Sequence, residues 1–512
     1  MKTPILGSAY VARSVNAADN RMVNLFPEIV PEGGKEPAFL QRAPGLVRLL
    51  TAGTGPIRGL WQFGGYGYAV SGNTLYQIDT NWNATAKGSV GGGGPVSMAD
   101  NGTQLFIAAN PDGYIYNSAT DVFQQITDPD FPGAVTVGYL DGYFVFNEPN
   151  SQKIWVTALL DGTQVDPLEF ASAEGNPDNV VAVFVDHREV WVYGTNSAEV
   201  WYNAGTLDFP LARIQGAYNE LGCAAPYSIA KMDNQIYWLG KDARGQGMVF
   251  RAAGYMGQRI STHAIEWQLQ QYTDLSDAVG YTYQQDGHSF YVLNFPSADT
   301  TWVFDVATGA WHERASFSNG EFNRHRGNSQ MFFNGETVIG DYQNGKIYKF
   351  DLDVYADDGQ IQKWLRSWRA LPTGANNLTR TIQHGMQLDC ETGVGLNGFS
   401  PLDVFKLQTE SGFPLITESG DPITTETVVS PNPTVQGADP QVMLRWSDDG
   451  GHTWSNEHWK SMGRIGRYGF RTIWRRLGAT MKIRDRVYEL SGTDPVRIYI
   501  MGAELILTGT RA

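Results

Sequence analysis

The sequence predicts an all-β protein: an irregular β-propeller of six to eight blades, followed by a C-terminal β-sandwich or barrel-like domain. Three observations carry this expectation. First, a strand, an Asx-type turn and an aromatic strand run through Thr301–Arg314. The same layout recurs in Tyr116-Asn117-x-x-Thr120-x-x-Phe123 and, shortened, in Ile78-Asp79-x-Asn81-Trp82. An Asp or Asn caps such a turn through its own side chain while the flanking aromatics pack on a sheet face. Second, the strands ending before each turn align on Tyr76, Tyr116, Trp155, Trp201, Phe250, Phe304 and Tyr348, at spacings of 40, 39, 46, 49, 54 and 44 residues. That is the period of a four-stranded blade, which cannot bury both faces alone and so stacks around an axis. Third, apolar strands such as Tyr143–Phe146, Ile236–Leu239 and Phe290–Leu293 follow turn pairs Asp141-Gly142, Asp233-Asn234 and Asp286-Gly287, the chemistry of tight hairpins.

Taken in order, residues 1–50 read as an extended, turn-rich lead-in that packs on other domains, with Asn20-Arg21-x-x-Asn24-Leu25-Phe26-Pro27-Glu28 and Ala43-Pro44-Gly45-Leu46 as its marked segments. Residues 51–355 supply the propeller. A short helix is expected near 262–272, where Ser261 or Thr262 can cap and Ile265, Leu269 and Tyr272 recur at helical spacing. From 356 to 512 the pattern becomes a second β domain, ending in Val496–Ile500 and Ala503–Leu507. Within it, three eight-residue units, Leu407–Pro414, Leu415–Pro422 and Ile423–Ser430, each join a brief strand to a Gly/Pro or Thr-rich end. They predict a protrusion at about 400–440, a dock presenting Thr409, Glu410, Thr417, Glu418, Thr425 and Glu426, or else a loop ordered only by a partner.

The chain of 512 residues carries a net charge of −15, unevenly spread. Residues 445–512 hold 12 Lys/Arg against 7 Asp/Glu, leaving 26 against 46 elsewhere, so a basic island of +5 sits on a body of −20. The cluster Arg464, Arg467, Arg471, Arg475 and Arg476 could neutralise phosphates near DNA. Alternatively it pairs with acidic surface of the same or a neighbouring subunit, a reading favoured by its interleaving with Tyr468, Phe470, Ile473, Trp474 and Leu477. An acidic body disfavours wrapping DNA and suits a duct through which DNA slides.

Ser447-Asp448-Asp449-Gly450-Gly451-His452-Thr453-Trp454 fits an Asp-box turn, with Ser447, Asp449, Gly451, Thr453 and Trp454 as the structural positions. Its carboxylate is expected to fold a corner and not to cleave substrate. The box is familiar from sialidase-like propellers, so a glycan-binding or glycoside-hydrolysing propeller is the alternative reading. No arginine cluster or Tyr/Glu pair with diagnostic spacing accompanies it. Metal-ligand spacing among the eight histidines, an EF-hand order, a phosphate-binding Gly loop and Gly-x-Ser-x-Gly are all missing. No catalytic centre, cofactor or metal is expected. Two cysteines, Cys223 and Cys390, make no disulfide framework. Neither a leader peptide nor a run of 18 apolar residues is present, which predicts a soluble protein without a membrane-spanning segment.

In their order along the chain, several segments resemble the packaged-DNA stabilisation proteins of short-tailed, podovirus-type phages, also described as tail nozzle or tail hub proteins. The resemblance is carried by Asn20–Glu28, Ala43–Leu46, Ser261–Glu266, Gly287–Tyr291, Thr301–Arg314, Trp446–Gly450 and Arg484–Val487. The eight-residue units are less typical of the family. What the resemblance implies is a non-enzymatic virion protein, assembled in the host cytoplasm into a ring, six-fold in related tails. That homohexamer would sit below the portal and its head-to-tail adaptor, close the channel, and let double-stranded DNA pass at genome ejection. Its outer surface would attach tail fibres or tailspikes.

Overall fold

The computed structural model describes every residue except 8, 15–17, 174, 207–208, 242–243, 372–379, 397–435, 481–485 and 510–512. The chain forms two compact units, one of residues 7–27 and 43–362, the other of residues 1–6, 28–42 and 363–512.

The larger unit contains seven antiparallel blades, spanning residues 57–89, 97–125, 137–172, 180–219, 222–259, 279–313 and 327–351, the last completed by Gly45–Thr51. In six of them the first two strands are joined by a two-residue turn with both φ positive. These turns are Gly64-Gly65, Asp141-Gly142, His187-Arg188, Asp233-Asn234, Asp286-Gly287 and Asn334-Gly335. Such turns match the right-handed twist of the strands they connect, and Asn, Asp and Gly tolerate the required φ. His187-Arg188 is the exception in chemistry. At the far end of the third strand the Asx turns form as the repeat predicts. Asp79 accepts from the N–H of Asn81 and Asn83 (2.9 and 2.8 Å), Asn117 from Ala119 and Thr120 (3.0 and 3.2 Å), and Asp305 from Ala307 (3.0 Å).

Each aromatic anchor of the repeat lies in the third strand of its blade. The hydrophobic core is divided among the blade interfaces. Tyr68 and Val70 meet Leu105 and Ile107 between blades one and two, and Phe106 meets Phe144 and Phe146 between two and three. The series continues to the seventh interface, where Met331 and Val338 of blade seven meet Leu60 and Ala69 of blade one. Burial on both faces of every blade is what closes the ring.

Residues 45–51 depart from the expectation of an extended lead-in: they form the outermost strand of blade seven, with Leu46 opposite Phe350 and Thr51 opposite Lys346. Strand pairing across some three hundred residues leaves no local trace in sequence. The preceding segment is fixed to blade six, where Arg21 makes a bidentate pair with Glu313 (2.9 and 2.8 Å). Asn24, with φ 52°, exchanges two hydrogen bonds with the Ala315 backbone. The helix His263–Leu269 lies between blades five and six; Thr262 caps it by accepting from the Ile265 N–H, and Ile265 and Leu269 enter the core of that interface.

The smaller unit is a β-sandwich. One sheet orders Ile473–Arg475, Thr381–Cys390, Tyr499–Gly509 and Ala38–Arg42, with Lys2–Thr3 also on Tyr499–Gly509. The other orders Trp364–Arg369, Val487–Gly492, Gln441–Ser447 and His458–Ser461. Hydrogen bonds between buried side chains link the layers, including Trp368 Nε1 to Thr3 Oγ1 (2.6 Å) and the Tyr488 hydroxyl to Gln383 (3.2 Å). The N-terminal residues thus serve both units. No helix among the described residues is long and apolar enough to cross a membrane.

Candidate functional site

The Asp-box joins Gln441–Ser447 to His458–Ser461. Asp449 Oδ1 accepts from the N–H groups of His452 and Thr453 (3.0 and 2.9 Å) and from the Ser447 hydroxyl (2.6 Å), while Oδ2 accepts from Thr453 Oγ1 (2.6 Å). The Ser447 hydroxyl in turn accepts from the Gly451 N–H (2.8 Å), with Gly451 at φ 107°. These hydrogen bonds hold the Asp449 carboxyl well below the usual carboxylate range. Every oxygen of Asp449 is thereby used by its own turn. Trp454 is half-buried beneath the Arg445 guanidinium, 4.8 Å from its ring centroid.

The neighbouring Asp448, which the sequence pattern does not single out, has the larger structural part. It forms a bidentate pair with Arg486 (2.6 and 2.8 Å), whose guanidinium also donates to the Leu477 carbonyl (2.7 Å) and lies over Trp446 and Tyr488.

The predicted basic cluster divides. Arg464 and Arg467 are exposed on the loop that also presents Ile465 and Tyr468, the latter 71 % exposed. Arg471 donates to Gln387 on the adjacent strand. Arg475 and Arg476 line a groove of about 610 Å³ together with Trp446, His458, Trp459 and Trp474. Trp446 stacks on His458 at 4.7 Å, Trp474 Nε1 donates to the His458 carbonyl (2.7 Å), and Trp459 stands 54 % exposed. Among the described residues no carboxylate of the same chain pairs with these five arginines. A surface rich in Trp, Tyr and Arg has the composition of a protein interface. The sequence pattern named the two groove arginines but missed Trp446, His458 and Trp459, which adjoin only because two strands pair.

A second concavity, of about 510 Å³, runs along the propeller axis and is lined by the first strand of all seven blades, from Arg58 and Trp61 to Asn328 and Gln330. Among the described residues there is no group of three or more metal-ligating side chains. Burial pushes the thiols of Cys223 and Cys390 up to about 11 and about 12, leaving both protonated at neutral pH. Thr409, Glu410, Thr417, Glu418, Thr425 and Glu426 lie outside the described residues.

Comparison with known proteins gives the following. Among solved structures, the computationally designed Ika8 protein is 14 % identical, covering 60 % of this chain and 99 % of its own, at a TM-score of 0.37. The N-terminal domain of Nup159 is 10 % identical, covering 63 % of this chain and 97 % of its own, at 0.38. The extracellular domain of a putative one component system, BT4673 from B. thetaiotaomicron, is 12 % identical, covering 87 % of this chain and 58 % of its own, at 0.41. No curated protein matches. Residues 1–355 match the family described as Bacteriophage P22 Gp10, beta-propeller, and residues 364–507 match Bacteriophage P22 Gp10, beta-sandwich. With both domains matched in order, the chain belongs to the Bacteriophage P22 Gp10 family of packaged-DNA stabilisation proteins, structural components of the phage tail.

Proposed function

We propose that this tail protein acts as a nozzle or hub: a ring of identical subunits, a homohexamer, that closes the tail channel, retains packaged DNA and conducts it at ejection. The match of both domains to the Gp10 family carries this reading. The charge distribution supports it, since the −20 borne outside residues 445–512 suits a duct that must not bind the double-stranded DNA passing through it. Subunits of a cyclic ring contact one another through two different faces, and further faces serve other partners. In this reading the head-to-tail adaptor holds the ring from above and tail fibres or tailspikes dock on its outside. The groove of Trp459, Arg475 and Arg476 is one such docking face, because its composition is that of an interface hot spot and, among the described residues, its arginines make no ion pair with a carboxylate. The segment 400–440, with its Thr/Glu units, is proposed as a second dock. Assembly in the host cytoplasm and residence in the virion tail follow from the same reading.

The experiment is complementation of particles lacking the protein. Purified wild-type chain is expected to restore DNA retention in heads, and a Trp459→Ala/Arg475→Glu/Arg476→Glu variant to fail while keeping its fold. Retention that is unaffected by adding the chain refutes the nozzle reading. Full complementation by the groove variant refutes only the assignment of the groove. The glycan reading gains no support from the Asp-box, whose carboxylate is occupied by its own turn.

A further inference from the structure

Blade six ends in the strand Ala310–Glu313, where Glu313 takes Arg21, and Arg314 follows directly after it. Both His312 and Arg314 are buried, with Arg314 only 3 % exposed and His312 fully enclosed. Around the guanidinium stand three aromatic faces, Phe290 at 5.3 Å, Phe26 at 5.9 Å and Tyr283 at 6.0 Å. Neither its Nε nor its second terminal nitrogen has a carboxylate or carbonyl acceptor, the Tyr283 hydroxyl faces the guanidinium itself, and the hydroxyl of Tyr281, both His312 nitrogens and His325 Nε2 are without partners among the described residues.

The protonation states make this lining rich in donors. His325 Nδ1 accepts from the Gly327 N–H at 3.1 Å, so the ring hydrogen of the neutral imidazole is on Nε2. Burial and the Arg314 charge keep both His312 and His325 deprotonated at neutral pH, and the same charge acts on Tyr281 and Tyr283. The nearby carboxylates are engaged elsewhere. Asp305 is held by His288 (2.9 Å), and Asp341 by Tyr348 (2.7 Å) and Asn344 (3.1 Å). Guanidinium does not lose its proton, and an isolated charge in the interior costs several kcal/mol. Contact with ring faces returns only part of that cost. A counter-charge is therefore required, and a spherical monoanion accepts from several donors without directional demand.

We propose that the buried cluster of Arg314, Tyr281, Tyr283, His312 and His325 binds a small inorganic monoanion of the halide class, which ties the inner and outer strands of blade six to the segment leading into blade seven. Crystals of the full chain grown without halide and soaked in bromide test this by anomalous scattering. A bromide peak within hydrogen-bonding distance of the Arg314 side chain is expected. In solution, the melting temperature should rise saturably with sodium bromide relative to sodium gluconate at equal ionic strength. Arg314→Met should abolish that dependence, and Tyr281→Phe, which changes no shape and keeps the fold, should raise the half-saturating bromide concentration about tenfold. Density explained by water without anomalous signal overturns the proposal. So does a bromide peak that persists in Arg314→Met, which marks an adventitious ion only, or identical half-saturation in wild type and Tyr281→Phe.

Discussion

Replacing Arg486 by Met tests whether the sandwich depends on one enclosed ion pair. The Arg486 side chain is 1 % exposed and Asp448 20 %. Its guanidinium makes two hydrogen bonds to Asp448, at 2.6 and 2.8 Å, and one to the Leu477 carbonyl at 2.7 Å. Methionine keeps much of the packing against Trp446 and Tyr488 but strands a carboxylate and a carbonyl. Removing one partner of a fully buried pair costs about 3–5 kcal/mol. Asp448 retains some contact with water, so the expected loss is about 2–4 kcal/mol. In a unit of this size, that corresponds to a fall of about 4–16 °C in melting temperature. The assay is urea denaturation of the full chain followed by tryptophan fluorescence, completed as a double-mutant cycle with Asp448→Asn. The double variant should recover part of the loss, because it no longer leaves an uncompensated charge. A loss below about 1 kcal/mol for Arg486→Met, or strict additivity in the cycle, would refute the reasoning.

Three further outcomes are expected. At the hairpin His187-Arg188, both residues sit at positive φ, 49° and 63°; His187→Asn with Arg188→Gly should stabilise the propeller by about 1 kcal/mol, less the small contributions of the Arg188–Asp141 and His187–Asp186 contacts, both 2.8 Å, as read from the urea midpoint. His325 is lowered from 6.5 to about 3 and His312 is also lowered, in both cases first by burial. The folded state therefore binds fewer protons than the unfolded state below pH 6.5, so stability present above that pH is lost as pH falls toward the folded values, by up to about 1.4 kcal/mol per pH unit for each histidine. Urea titrations between pH 7.5 and 5 should show this slope in wild type and a shallower one in His325→Asn, which retains an acceptor for Gly327; equal slopes would count against it. Finally, Trp459→Ala should leave the melting temperature within about 1 °C of wild type, since the ring is largely solvent-exposed, while reducing incorporation into tails in the complementation assay.

Much of the propeller is legible in the chain because its determinants are local. The turn pairs Asp141-Gly142 and Asp286-Gly287 encode positive φ in two residues, and Asp79, Asn117 and Asp305 encode turns in three or four. Spacing alone left the ring between six and eight blades. The seventh is a composite, its outer strand Gly45–Thr51 coming from the start of the chain and its first strand being Gly327–Phe333. The boundary placed near residue 50 failed for the same reason: residues 1–6 and 28–42 contribute to the sandwich, while 7–27 and 43–51 contribute to the propeller.

The candidate site divides along the same line. The Asp-box was readable because its donors and acceptors fall within seven residues, Ser447 to Thr453. Its neighbour Asp448 is tied to Arg486, 38 residues away, and that pairing depends on strand register. Arg475 and Arg476 stood out by charge, but Trp446, His458 and Trp459, which make a groove beside them, come from other strands. By itself, the sequence of this protein determined strand type, turn positions, blade period and uneven charge, all set by interactions over a few residues. Only the tertiary structure decided ring closure, the sharing of the N-terminal segment between two units, the groove, and the burial of Arg314 among the rings of Phe26, Tyr283 and Phe290, because each depends on groups far apart in the chain meeting in one register.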